Sequence, residues 1–118
     1  MTKDETLYIL WTNGDPVTVR NMVFMYATNS LRYKWWEKVH VIVWGAATKL
    51  LVEDKEIQKL LREFLDLQGE VSVCRMCAEN LNMMGEVKKM ETMGKLKVFY
   101  VGEFFTKILK DGEKLLTV

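Results

Sequence analysis

The segment that decides the fold is residues 39–44, Val-His-Val-Ile-Val-Trp, which Gly45 follows directly. A strand with one face in water alternates apolar and polar side chains, whereas this segment is apolar at every position but one. Nearly continuous hydrophobicity is typical of a strand in a parallel sheet that is covered on both faces. We therefore expect a central parallel strand here, ending at the glycine.

Strand and helix patterns alternate on both sides of this strand. Asp15-Pro16 and Asp54 are typical of helix N-termini, and Gly69 is typical of a helix C-terminal stop. The alternation predicts one α/β domain over residues 1–118, with a five-stranded, mainly parallel sheet flanked by helices in three layers. The expected strands are 7–11, 39–44, 70–74, 97–101 and 114–118; the expected helices are 16–32, 46–52, 54–68, 76–83 and 104–109, with a less regular stretch at 84–96.

The overall composition excludes several classes of protein. The 118 residues carry a net charge of +1, so the broad basic surface of a nucleic-acid-binding protein is absent. The longest apolar runs are far too short to span a membrane. Residues 1–5 contain acids and no apolar core, so we expect no signal peptide. Two close cysteines cannot join distant parts of a secreted fold, and we expect a cytoplasmic protein.

Cys74 and Cys77 are the only cysteines, and they lie where the third predicted strand meets a helix. The N–H groups and the positive dipole end of that helix are expected to favour the reactive thiolate. In a cytoplasmic protein such a pair is more often redox-active, sulfur-carrying or metal-binding than structural. Cys74 and Cys77 are therefore the candidate catalytic residues, and a disulfide between them stays open.

Other chemistries of a cysteine pair have less support. A zinc site needs about four ligands and this motif supplies two, so we expect no metal and no cofactor. In a thioredoxin fold the motif precedes a cis-proline loop, whereas the only proline here is Pro16. His40, the only histidine, opens its strand while Cys74 closes the next one, so the two lie about 13 Å apart. We expect His40 to be a structural or surface residue.

Ligands of parallel α/β sheets bind beyond the carboxyl ends of the strands. The cysteine pair lies at that edge, together with the segments that follow the first, second and fourth strands. We expect these segments to line a substrate pocket, and the candidate residues are Trp11, Thr12, Asn13, Trp44, Gly45, Arg75, Gly102 and Glu103.

The first predicted helix has a second apolar stripe besides the one expected to face the sheet. A helix that covers only its own sheet would not need it, and paired aromatic residues suit an interface between subunits. We therefore expect a homo-oligomer whose interface includes Phe24, Thr28, Leu31, Trp35 and Trp36.

Four segments of the sequence, residues 7–12, 41–46, 73–78 and 105–118, resemble the DsrE/DsrF-like family of sulfur-relay proteins. More narrowly, the chain looks like single-domain members of that superfamily without an established activity. The resemblance covers nearly the whole chain and implies a Rossmann-like fold in a homotrimer or homohexamer. It also implies that Cys74 accepts sulfane sulfur as a persulfide from a donor protein and passes it to an acceptor protein.

Cys77 departs from the family pattern, because several members have a small residue at this position. A second thiol one helical turn away could resolve the persulfide as a disulfide, which leaves a thiol-redox role open. The alternative hypothesis is a non-catalytic module that binds a small ligand or a protein. In such a module the cysteines only pack or sense oxidation.

Overall fold

The protein, described here by a computed structural model over residues 5–118, contains one sheet of five parallel strands in the order β4-β3-β2-β1-β5. The prediction of a five-stranded α/β, Rossmann-like fold is confirmed. Residues 1–4, on which the expectation of no signal peptide mainly rests, lie outside the described residues. The strands are β1 (Thr6–Trp11), β2 (Lys38–Val43), β3 (Glu70–Cys74), β4 (Leu96–Phe99) and β5 (Lys114–Thr117).

Helices connect all of these strands. No helix among residues 5–118 has the length and hydrophobicity needed to cross a membrane. The stretch expected to be less regular is a helix followed by a short 3-10 turn. The α-helices are α1 (Pro16–Thr18), α2 (Met25–Arg32), α3 (Ala46–Glu53), α4 (Lys55–Asp66), α5 (Arg75–Asn80), α6 (Met84–Met90) and α7 (Gly102–Lys110); a π-helical segment, Val19–Phe24, joins α1 to α2, and the 3-10 turn is Glu91–Met93.

The two predicted aspartate caps are present. The carboxylate of Asp15 accepts hydrogen bonds from the Val17 N–H and the Thr18 hydroxyl. The hydrogen bond from Thr18 lowers the pKa of Asp15. Asp54 caps α4 in the same way, accepting from two backbone N–H groups of its first turn.

The two faces of the sheet are covered unequally. The larger core lies under the helices that connect β1 to β4, and the inward side chains of β1 in it are Leu7, Ile9 and Trp11. On the opposite face, which we call the α7 face, a smaller cluster forms around Ile42, Cys74, Val101 and Ile108. Side chains of α7 cover part of this face, and a cavity lies beside them.

The second apolar stripe of the first helix packs within the chain. Phe24 and Thr28 are only 1% and 6% exposed, and the Phe24 ring meets Phe64 of α4 edge to face at 6.4 Å. Trp36 packs against the larger core, whereas Trp35 is 56% exposed. The stripe is thus no argument for an oligomer at Phe24 and Thr28, because α4 already covers them.

The helix α4 ends at Asp66, before the predicted end at residue 68, and the residue that closes it is not the predicted one. Gln68, and not Gly69, has the left-handed φ of +72° that closes the helix. The Gly69 N–H donates to the Phe64 carbonyl and the Gln68 N–H to the Leu65 carbonyl, which is a Schellman motif. Gly69 is needed for space, since a Cβ there would lie 2.4 Å from the Phe64 ring.

Candidate functional site

The two cysteines are free thiols at the junction of β3 and α5. Cys74 is the N-cap of α5, and its Sγ accepts a hydrogen bond of 3.3 Å from the Cys77 N–H. Cys74 is 2% exposed, whereas Cys77 is half-buried. Cys77 is therefore the more accessible of the two sulfur atoms.

The environment of Cys74 does not favour its thiolate. Burial and the hydrogen bond with the Cys77 side chain raise the pKa of Cys74 from 9.0 to about 11, although backbone N–H groups of Cys77 and Met76 act in the opposite direction. The expectation that the helix start makes Cys74 an acidic thiol is wrong. The cause is desolvation, which outweighs what a helix of one and a half turns contributes.

Cys77 has a different backbone partner. The Gly45 N–H, from the loop after β2, donates to Cys77 Sγ at 3.3 Å. Gly45 adopts a φ of +65° and a ψ of −136°, a conformation that a side chain disfavours. The turn after the central strand thus brings an N–H donor to a sulfur atom on the neighbouring loop.

Trp44 and Gly45, two of the predicted pocket residues, lie beside the cysteines. Trp44 packs in the cluster on the α7 face with Cys74 and Cys77, and its ring meets Phe105 edge to face at 5.5 Å. Gly102, at the start of α7, is exposed, as is Glu103 beside it. Their place after β4 puts them at the predicted edge of the sheet.

The structure does not bring the β1 end to the cysteines. Trp11 belongs to the larger core on the opposite face, is fully buried and donates to the Asn13 carbonyl at 2.7 Å. The Asn13 side-chain oxygen accepts a hydrogen bond from the Asp15 N–H, and the Thr12 hydroxyl donates to the Val118 carbonyl. The physical reason is the alternation along β1, which sends Trp11 and Leu10 to opposite faces.

Arg75, one of the predicted pocket residues, forms a surface group with Glu79 and Tyr100, which the sequence did not predict. Its guanidinium lies 5.2 Å from the centre of the Tyr100 ring, and its Nε bonds Glu79 at 3.3 Å. The Tyr100 hydroxyl donates to Glu79 at 2.9 Å, which raises the pKa of Tyr100. The available signal was position, since Tyr100 directly follows the strand that pairs with β3.

His40 lies away from the cysteines, as predicted. In the sheet register His40 pairs with Glu70, and Glu70 lies four residues before Cys74 on β3. The His40 side chain lines a cavity of about 400 Å³ on the open part of the α7 face. Among residues 5–118 no cluster of three or more His, Cys, Asp or Glu side chains could hold a metal ion.

Comparison with known proteins shows which family the chain belongs to. No family model and no curated protein matches the chain. A conserved protein of unknown function from Bacteroides thetaiotaomicron is 35% identical to it, over 100% of this chain and 98% of that one, with a TM-score of 0.93. The chain belongs to the family of this Bacteroides protein.

A more distant likeness shows the fold alone. The ychN protein from E. coli superposes on the present chain with a TM-score of 0.67. The two sequences are 12% identical, and the match covers 97% of this chain and 99% of the ychN protein. The overall fold is thus shared beyond recognisable sequence similarity.

Proposed function

We propose that this protein is a small sulfur carrier of the DsrE/DsrF-like type, in which the Cys74–Cys77 pair accepts sulfane sulfur as a persulfide and passes it to a partner protein. The observation that carries the proposal is the half-buried Cys77 sulfur, which receives the Gly45 N–H beside a second, buried thiol. An N–H aimed at sulfur stabilises negative charge on it. The fold agrees with the one that the sequence resemblance implies.

The geometry favours Cys77, rather than the sequence-predicted Cys74, as the accepting atom. In the transfer, Cys77 Sγ attacks the outer sulfur of a persulfide donor, R–S–SH. The donor S–S bond breaks, R–SH leaves with the proton, and Cys77–S–SH forms. Cys74 is only 2% exposed whereas Cys77 is half-buried, so an incoming donor meets Cys77 Sγ first.

Cys74 then decides how long the persulfide lasts. A Cys74 thiolate would attack the inner sulfur of Cys77–S–SH, form a disulfide and release HS⁻. Its pKa of about 11 keeps Cys74 protonated at neutral pH, and a protonated thiol is a poor nucleophile. The neighbouring thiol that could end the carrier state is therefore held inactive, and the persulfide persists until an acceptor arrives.

Intact-protein mass spectrometry after incubation with a persulfide donor tests the proposal. We expect a gain of about 32 Da, one sulfur atom, on the unmodified protein at neutral pH. Cys77→Ser should abolish the gain and the matched variant Cys74→Ser should keep it. If the folded protein gains no sulfur, the carrier function is refuted; if Cys74→Ser alone abolishes the gain, the assignment of the two thiols is reversed.

The burial of Cys74 favours a second candidate function, a non-catalytic binding module in which the cysteines only pack. A buried thiol with a raised pKa is typical of a structural cysteine. The two candidates differ in the accessible thiol. Iodoacetamide at neutral pH should modify Cys77 in a carrier, whereas two thiols that stay unmodified in the folded protein would favour the binding module.

A further inference from the structure

Three polar side chains form a line of hydrogen bonds on the open part of the α7 face. Ser72 Oγ lies 2.7 Å from His40 Nε2, and His40 Nδ1 lies 3.3 Å from the Glu70 carboxylate. The hydrogen bond from His40 lowers the pKa of Glu70, so the carboxylate is ionised at neutral pH. An ionised carboxylate only accepts, so His40 Nδ1 is the donor to Glu70, and in the neutral imidazole Nε2 is then the acceptor for the Ser72 hydroxyl.

Adjacent strands hold this arrangement rigidly. Glu70 and Ser72 are two residues apart on β3, so both point to the same face. His40 is the cross-strand neighbour of Glu70 on β2. Because all three side chains stand on paired strands in the middle of the sheet, little entropy is lost in keeping them aligned.

The line of hydrogen bonds faces a cavity of about 400 Å³. Phe99 and Phe104 form an apolar wall, and Lys95 and Lys97 add two positive charges. Lys97 is the cross-strand neighbour of Ser72, and both residues line the cavity. Of the α7 rings, Phe104 lies on the cavity side, 5.3 Å from the His40 ring, whereas Phe105 packs against Trp44 near the cysteines.

We propose that Ser72 is a nucleophile that accepts an acyl group from a small apolar ester bound in this cavity, with His40 as its general base and Glu70 as the positioning residue. The apolar acyl group would lie against Phe99 and Phe104. The strand N–H groups are engaged in the sheet, so Lys97 is the group that would meet the negative charge developing on the carbonyl oxygen. This activity is independent of the cysteine pair.

The reaction has two balanced steps. Ser72 Oγ attacks the carbonyl carbon while its proton passes to His40 Nε2, and the ester C–O bond breaks as the alcohol leaves with that proton. Water then gives a proton to His40 and attacks the acyl carbon. The carboxylic acid is released, and the proton returns from His40 to Ser72.

Phenylmethylsulfonyl fluoride, which sulfonylates activated serines, tests the nucleophile on the unmodified protein. Peptide mapping should place the adduct on Ser72, and Ser30 is the internal control, since it is also buried but its hydroxyl has no hydrogen-bond partner among the described residues. A folded protein without an adduct on Ser72 would overturn the proposal. This measurement needs no variant, so it stays decisive even where a substitution impairs folding.

Hydrolysis of p-nitrophenyl acetate tests the roles of Ser72, His40 and Glu70. All rates are compared within the Cys74→Ser/Cys77→Ser background, so that acylation of the thiols contributes nothing. Ser72→Ala and His40→Gln should each lower the rate at least about tenfold, and Ser30→Ala should leave it unchanged. Glu70→Gln should lower kcat with KM unaltered, as expected of a positioning residue. Equal rates for Ser72→Ala and Ser30→Ala would refute the activity and would leave the sulfur-carrier proposal untouched.

Discussion

At Cys74, two opposing effects act on the same sulfur atom. The start of α5 supplies backbone N–H groups that favour a thiolate, and burial beneath α7 removes the water that a thiolate needs. The balance favours the thiol, because a six-residue helix has a small dipole and the side chain is almost completely desolvated. A motif at a helix start therefore does not by itself indicate an acidic cysteine.

The raised pKa of Cys74 predicts a loss of stability at alkaline pH. Its stabilising effect is complete below the unfolded-state pKa of about 9 and is lost as the pH rises to the folded-state value of about 11. Over this interval the free energy of unfolding should fall by up to about 1.4 kcal/mol per pH unit.

Urea denaturation at several pH values, compared with Cys74→Ala, isolates this effect. Tyr8 and Tyr100 also have raised pKa values, but both are present in the two proteins and cancel in the difference. Parallel curves for the two proteins between pH 9 and 11 would contradict the assignment.

At the scale of the element, the sequence specified the ends of helices better than the partners of their faces. The Asp15 and Asp54 caps were predictable, since capping depends on residues within one turn. The strand Glu70–Cys74 was predicted to the residue. The contact of Phe24 with Phe64 joins residues far apart in the chain, and no local pattern distinguishes it from a contact between subunits.

The same limit applies to the candidate sites. Period-two alternation along β1 places the Trp11 side chain on the same face as Ile9, away from the α7 face. The hydrogen bonds among Ser72, His40 and Glu70 could be predicted only from the register between β2 and β3, which the sequence does not contain. The signal that was available was the spacing of Glu70 and Ser72, two polar residues on one face of an otherwise apolar strand.

The C-terminus of α4 offers a test of backbone strain. Gln68 has the left-handed conformation, which disfavours side chains, so Gln68→Gly should raise the free energy of unfolding by about 0.5 kcal/mol. Gly69→Ala is the matched change next to it, and it should destabilise the protein because of its clash with Phe64. Thermal denaturation of both variants measures this, and a stabilising Gly69→Ala would contradict the described packing.

At the scale of the whole molecule, an exposed aromatic surface remains at the end of the first helix. Tyr33 and Trp35 are 61% and 56% exposed, and their rings lie 5.8 Å apart. Met25, which is 51% exposed, lines a cavity together with Trp35. Contiguous exposed apolar side chains are typical of contact sites between proteins. We propose that this surface, rather than the buried Phe24 and Thr28, contributes to a homotrimer or homohexamer.

Light scattering measures the mass in solution, which we expect to be three or six times that of the 13.8 kDa chain. Trp35→Ala should shift the population to smaller species, because it removes the largest ring of the patch. Tyr100→Ala is the control, because it removes an aromatic side chain of similar exposure that lies against Arg75, and it should leave the population unchanged. A monomeric unmodified protein at micromolar concentration would refute the oligomer.

The order of the strands also determines how the molecule resists being pulled. The first and last strands, β1 and β5, lie side by side and run parallel, and the Val118 backbone extends their pairing to Leu10 and Thr12. Tension between the start of β1 and the end of β5 would slide the two strands lengthwise past each other. All of the hydrogen bonds between them would then be loaded together instead of opening one after another, so the fold should withstand stretching along this axis far better than across it.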